Sequence, residues 1–240
     1  EVFFVLKGRW RFSWGRWGKA GEVVLEEGDI INIPTGIFRG FENIGLDYGM
    51  IMAVLGGDDA GGGVTWAPQV IQDAAEHGLI LGDNSKLYDS KKGQKLPEGI
   101  SPMPILSDEK LAKMPEPPAI DVIPRHVARY LDLMGLAGKS PIKVIGEDAM
   151  LPDKPGFEMD FITRGSLHDE VLTFKDSIVL MPMRGHWRVN WAGGSATLAP
   201  GDTMSVPENL PHNALPAMTG EASLYHVVAT GDPAGATWIG

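Results

Sequence analysis

Apolar residues recur at the period of a strand through both ends of the chain and at the period of a helix only in its middle. Residues 1–6 (EVFFVL) and 9–14 (RWRFSW) are apolar-rich runs separated by Lys7-Gly8, which predicts a hairpin or tight bend. VVLEEGDIINIP then reads as a strand, a Glu-Gly-Asp turn and a second strand stopped by Pro34, and YGMIMAVLG as a buried strand before a Gly-rich loop. In residues 67–77, Pro68 falls in the first turn, Val70, Ile71, Ala74 and Ala75 share one side, and Gly78 is a stop, so a helix is predicted. Residues 91–118, dense in Lys, Pro and Ser, read as an irregular connector with a short helix at 108–114. A second helix is predicted over 124–134, where Val127, Tyr130, Leu131 and Met134 stand at helical spacing before Gly135. Strands return from Ile142 as PIKVIG, FEMDFITRG, EVLTF, SIVLMPM, GHWRVNW, SATLAPGD, TMSVP and SLYHVVAT. Many short strands with no parallel βαβ unit predict an antiparallel sandwich or barrel.

The two β-rich ends repeat one another. GRWRFSWG, VVLEEGD and INIPTG return as GHWRVNWA, ATLAPGD and MSVPEN, so that Gly8, Trp10, Trp14, Gly28, Asp29 and Pro34 have counterparts in Gly185, Trp187, Trp191, Gly201, Asp202 and Pro207. Each copy closes on a Gly-rich stretch ending in Thr-Trp, at Trp66 and Trp238. The offset is 177 residues at first and 173 later, a difference that one shortened hairpin loop explains. Trp10 with Trp14, and Trp187 with Trp191, lie four apart on one strand face, which suits core packing better than a ligand platform.

The 240 residues therefore divide into an N-terminal unit at 1–66, a connector at 67–139 and a C-terminal unit at 140–240. Glycine at 31, proline at 18 and tryptophan at 7 fit tight turns around a substantial core. A net charge of −10 leaves no continuous basic face, which argues against nucleic acid, and no apolar run approaches the length of a membrane span. With no cysteine, a metal would have to be held by His, carboxylate or main-chain oxygen, which favours Fe, Mn, Zn or Ni. Glu1 stands inside what reads as a strand, with neither a signal peptide nor an initiator Met before it, so the native beginning is expected upstream.

These residues resemble the cupin superfamily. Its second motif, a Gly, five residues, a Pro, a turn Gly, a His and a later Asn, is matched by Gly28, Pro34, Gly36 and Asn43 with Arg39 in place of His. The second copy has Gly201, Pro207 and His212, with Asn209 for the turn Gly and Pro216 for the Asn. Of the first motif, Glu1 and Gly8 match the last two elements, and its paired histidines would precede residue 1. In the second copy Gly185 matches, Ile178 stands where the Glu would be, and Thr173 or Phe174 stands where a His would be. The resemblance covers about residues 1–66 and 140–240 and implies an all-β bicupin: two jelly-roll barrels with a partly helical connector.

It also implies a small-molecule protein, and the leading expectation is a metal-dependent dioxygenase acting on an aromatic or organic acid. Glu1 would be metal ligand or proton acceptor. Arg39, always cationic and unable to ligate a metal, would grip a substrate carboxylate or pair with Glu1. Arg9 and Asn43 are further candidates for substrate binding. His212, His226 and His168, with Asp169 or Glu170, form a second candidate metal set. The alternatives are a metal-free ligand-binding or structural bicupin and a metal-dependent isomerase or hydrolase. A cytoplasmic homo-oligomer without membrane or nucleic-acid partners completes the expectation.

Overall fold

The repeat in the sequence becomes a repeat of hydrogen-bonded strands. The computed structural model describes residues 1–33, 36–55, 65–151, 156–166 and 170–230. Pro34, His168, Asp169 and the Gly-rich ends of both copies, with Trp238, lie outside the described residues. The first copy comprises β1 (Val2–Lys7), β2 (Trp10–Trp14), β3 (Gly21–Leu25), β4 (Ile30–Asn32), β5 (Arg39–Asn43) and β6 (Met50–Val54). The connector holds α1 (Pro68–Glu76), the hairpin β7 (Leu79–Leu81) and β8 (Leu87–Asp89), α2 (Asp108–Leu111), α3 (Ala119–His126), β9 (Val127–Ala128) and α4 (Tyr130–Leu136). The second copy runs through β10 (Ile142–Ile145), β11 (Phe157–Thr163), β12 (Ile178–Arg184), β13 (Trp187–Trp191), β14 (Gly194–Leu198), β15 (Met204–Val206), β16 (His212–Pro216) and β17 (Ser223–Ala229).

Strand order is the same in both copies. The sheet β6-β1-β4-β9 corresponds to β17-β12-β15 within β10-β11-β17-β12-β15, and β3-β2-β5 corresponds to β14-β13-β16. Register agrees as well: Trp14 faces Arg39 as Trp191 faces His212. Gly36 and Asn209 take the same left-handed turn, with φ of 88° and 58°, a conformation that Asn tolerates better than other side chains. The strand that leads into Gly8 and Gly185 aligns too: Gly28 N donates to Val5 O at 2.8 Å as Gly201 N donates to Pro182 O at 3.1 Å, and both strands bulge just beyond, so Ile178 stands at the counterpart of Glu1.

The expected closed jelly-roll barrels are not what the chain forms. Among the described residues no sheet closes on itself; each copy is an open sandwich of two separate sheets. The chain passes between sheets at Gly8 and Gly28 in the first copy and at Gly185 and Gly201 in the second, all with positive φ. These left-handed turns end the ladder, so no strand runs from one sheet into the next.

Each sandwich has an inner core, and a third core joins the two. Phe3, Val5, Phe12, Trp14, Leu25 and Ile31 fill the first. Ile178, Leu180, Trp187, Val189 and Leu224 fill the second. Val2 and Phe4 point the other way, onto Met159, Phe161, Met181 and Tyr225. Because β1 is buried on both faces, its sequence reads as an unbroken apolar run. Phe4 meets Tyr225 edge-on with ring centroids 5.1 Å apart across this joint.

Tryptophan packing follows the expectation. Trp14 and Trp187 are fully buried, and their indole N–H groups donate to Pro117 O at 2.7 Å and Ser223 O at 3.1 Å. Gly21, opposite Trp14, leaves the room: a Cβ there would lie 2.4 Å from Trp14 Cζ2. Gly21→Ala is therefore expected to lower stability by about 2 kcal/mol through overpacking, measured by urea unfolding. A loss no larger than for an exposed strand alanine would contradict it.

The connector departs from the sequence reading. Residues 124–134 are not one helix: α3 ends at His126, and Val127 and Ala128 pair with Ile31 and Ile30 at the edge of β4. An open strand edge outweighs the weak helical preference of a β-branched residue. Leu131, which helical spacing placed on the buried side, is 81% exposed. The short helix at 108–114 is α2, with Ser107 Oγ accepting from Lys110 N at 3.4 Å. EVLTF contributes one bridge, Leu172 to His212, and the β7–β8 hairpin was not foreseen. Among the described residues no helix is long and apolar enough to cross a membrane.

Candidate functional site in the first sandwich

The described structure holds a cavity of about 740 Å³ at the mouth of the first sandwich. Its walls come from the ends of β1 and β5, the β2–β3 turn, the chain after β6 and the start of α1. Local chemistry holds these walls in place. Gln69 Nε2 of α1 donates to Arg16 O at 2.9 Å, and Arg16 N donates to Glu116 Oε1 at 2.5 Å, fastening the β2–β3 turn to the connector. Arg16 also reaches Asp108 at 3.3 Å and lies 5.2 Å over the ring of Trp17.

On the inner wall Arg39 and Glu1 form an ion pair, with side chains 23% and 29% exposed. Arg39 Nη2 donates to Glu1 Oε2 and Nη1 to Ile37 O at 3.1 Å, while the guanidinium lies 5.9 Å from the Phe3 ring centroid. Both residues line the cavity with Phe3, Phe41, Trp17 and Trp66. Phe41 packs tilted against Phe3 at 4.7 Å and edge-on against Phe12 at 5.1 Å, which anchors it to the core although it is 41% exposed. Trp17 and Trp66 are 53% and 43% exposed at the rim. The arrangement offers aromatic faces and one charge-balanced polar wall, a setting for an organic ring carrying a hydrogen-bonding group.

The other candidates lie elsewhere. Arg9 is exposed outside the cavity lining and pairs with Glu26 at 3.4 Å. Asn43 closes the turn after β5, accepting from Gly45 N at 2.9 Å and donating to Asp47 O at 3.0 Å. His212 and His226 are buried in the second sandwich around Phe174, whose ring centroid is 6.0 Å from His212 and 4.4 Å from His226. His212 Nδ1 is 3.0 Å from Leu210 O. Burial, and secondarily the neighbouring His212, pushes His226 down to about 4, so it is a neutral imidazole at pH 7. Glu170 is exposed, and His168 with Asp169 lies outside the described residues.

The described residues at the cavity do not by themselves make a divalent-metal site. The carboxylate there, Glu1, is bound by a guanidinium that never deprotonates, and no histidine lines the walls. Among the described residues no three His, Asp or Glu side chains gather where they could hold a metal ion.

Sequence reasoning missed Trp17, Phe41, Trp66 and Gln69, and in the second sandwich Asp160. Asp160 faces His226 across β11 and β17, on the face that carries Ile162 and Leu224 inward, and burial raises its pKa. The signal for it was an acidic residue at an inward position of FEMDFIT. Trp17 was visible only as a tryptophan that the second copy lacks.

No family model matches the chain, and no curated protein matches it. Among solved structures it is similar to a cupin-2 domain-containing protein from Shewanella frigidimarina, at 13% identity over 42% of this chain and 93% of that one, with a TM-score of 0.34. A cupin 2 domain-containing protein from Halorhodospira halophila is 20% identical over 39% of this chain and 66% of that one, with a TM-score of 0.33. Hydroxypropylphosphonic acid epoxidase from S. wedmorenis is 23% identical over 31% of this chain and 44% of that one, with a TM-score of 0.27. Each likeness covers less than half of this chain.

Proposed function

We propose that the first sandwich binds a small organic molecule in its mouth without a metal, in the manner of a ligand-binding cupin, and that residues 1–66 and 140–240 are tandem units of that type. The observation that supports this is the Glu1–Arg39 pair on the wall of an aromatic-lined cavity of about 740 Å³. Aromatic walls supply affinity through area removed from water, and the polar wall supplies orientation. A dioxygenase reading would need a metal site that the described residues do not by themselves make, so the binding role is the better account of the residues present. The second sandwich, with buried neutral His226 at its core, serves as the packing partner of the first.

Saturation-transfer NMR with single-ring probes, benzamide, benzoate, benzylamine and phenol, tests the reading. At least one probe should receive saturation from the protein, and the Trp17→Ala/Trp66→Ala variant should weaken that signal about tenfold. No transfer to any probe, or transfer that the double variant leaves unchanged, would overturn it.

A further inference from the structure

We infer that Glu1 determines the specificity of this cavity by masking Arg39, so that the site takes uncharged aromatic carbonyl compounds such as amides and rejects the matching carboxylates. The inference rests on the reading of the cavity as a small-molecule site and names the class of ligand. An unmasked arginine on an aromatic-lined wall would select anions, since guanidinium and carboxylate match in shape and charge. Here one guanidinium N–H group is given to Glu1 and another to Ile37 O, and the pair is less than one-third exposed.

A ligand carboxylate reaching Arg39 would meet the like charge of Glu1 at close range. It would also have to detach Glu1 from Arg39, breaking a partly buried ion pair. A neutral carbonyl oxygen accepts from a remaining N–H of Arg39 and leaves the ion pair intact. The Phe3 ring beside the guanidinium, with Phe41 packed against it, places the ligand's ring against apolar surface while its carbonyl faces Arg39. Arg16, the other cation on the lining, is drawn toward Asp108 at 3.3 Å and lies over Trp17.

The test compares benzamide with benzoate, which differ little in size, by isothermal titration calorimetry on the unmodified chain and on Glu1→Gln. The unmodified protein should bind benzamide about tenfold more tightly than benzoate, and Glu1→Gln should reverse the order. Glu42→Gln removes the same charge from an exposed pair with Arg11 at 2.6 Å, off the cavity lining, and should leave the ratio unchanged. Equal or tighter benzoate binding by the unmodified protein overturns the inference while the binding reading stands, and needs no variant to fold. Loss of the benzamide preference in Glu42→Gln to the same extent as in Glu1→Gln would make it a net-charge effect and overturn the role of Glu1. If neither probe binds, and none of the wider panel does, the binding reading itself falls.

Discussion

Replacing Asp29 with alanine is expected to lower stability by about 3 kcal/mol, whereas the same change at its repeat counterpart Asp202 lowers it by about 1 kcal/mol. Both aspartates follow a left-handed glycine and close the same turn: Asp29 Oδ2 accepts from Glu26 N at 3.0 Å and Asp202 Oδ2 from Ala199 N at 2.8 Å. Only Asp29 does more. Its Oδ2 also accepts from Arg129 Nη1 at 2.7 Å, and its Oδ1 from Tyr130 N at 2.9 Å, with the Asp29 side chain 9% exposed. Tyr130 carries the connection onward, donating to Glu221 at 2.7 Å and sharing a hydrogen bond with Ser223 at 3.0 Å, under the guanidinium of Arg184. Removing the Asp29 carboxylate strips a buried backbone N–H and half of an ion pair together, in the element that joins the sandwiches. Urea unfolding of the two variants, with equal slopes, measures both losses. Equal losses would mean that Asp29 does no more than close its turn.

Acid should weaken the fold through His226. Its folded-state pKa, pushed down to about 4 by burial and the neighbouring His212, lies below the ordinary 6.5 that it regains on unfolding. Between those values the unfolded chain binds a proton that the folded chain does not. The contribution is complete above pH 6.5 and is lost progressively as pH falls toward 4, about 3 kcal/mol in all. His126, lowered mainly by burial at the end of α3, acts in the same direction. Asp160 acts oppositely: burial raises its pKa, so the folded chain holds its proton more readily, which offsets part of the loss at the acid end. His226→Leu isolates the histidine. Stability measured from pH 7.5 to 4.5 should fall less steeply in the variant than in the parent, and parallel curves would show that His226 is not held neutral.

The legible part of the fold was the part that local rules write. Gly-Asp turns, alternating apolar positions and the Trp pairs recur at matching offsets, and the same strand order appears in both copies. The closure of each sheet pair was not legible, because a strand's alternation says which face is buried and not where its ladder stops. Val127 shows the same limit at residue scale. Its spacing with Tyr130 and Leu131 suited a helix, and the free edge of β4 made it a strand.

At the site, Glu1 and Arg39 could be named from their motif positions, and the alternative that they pair was already visible in their opposite charges. Trp17, Trp66 and Gln69 could not be named, since they reach the cavity from a turn and from the connector, and no period or motif links them. Sequence alone determined the duplication, the strand content and the cation at Arg39 where the second copy carries His212. Tertiary structure decided which partner that cation takes, which aromatic rings surround it, and that the sandwiches pack back to back through β1, β11 and β17. The division has a physical cause: turn and strand preferences act between neighbours in the chain, whereas ion pairing and burial depend on which distant segments the packed sheets bring together.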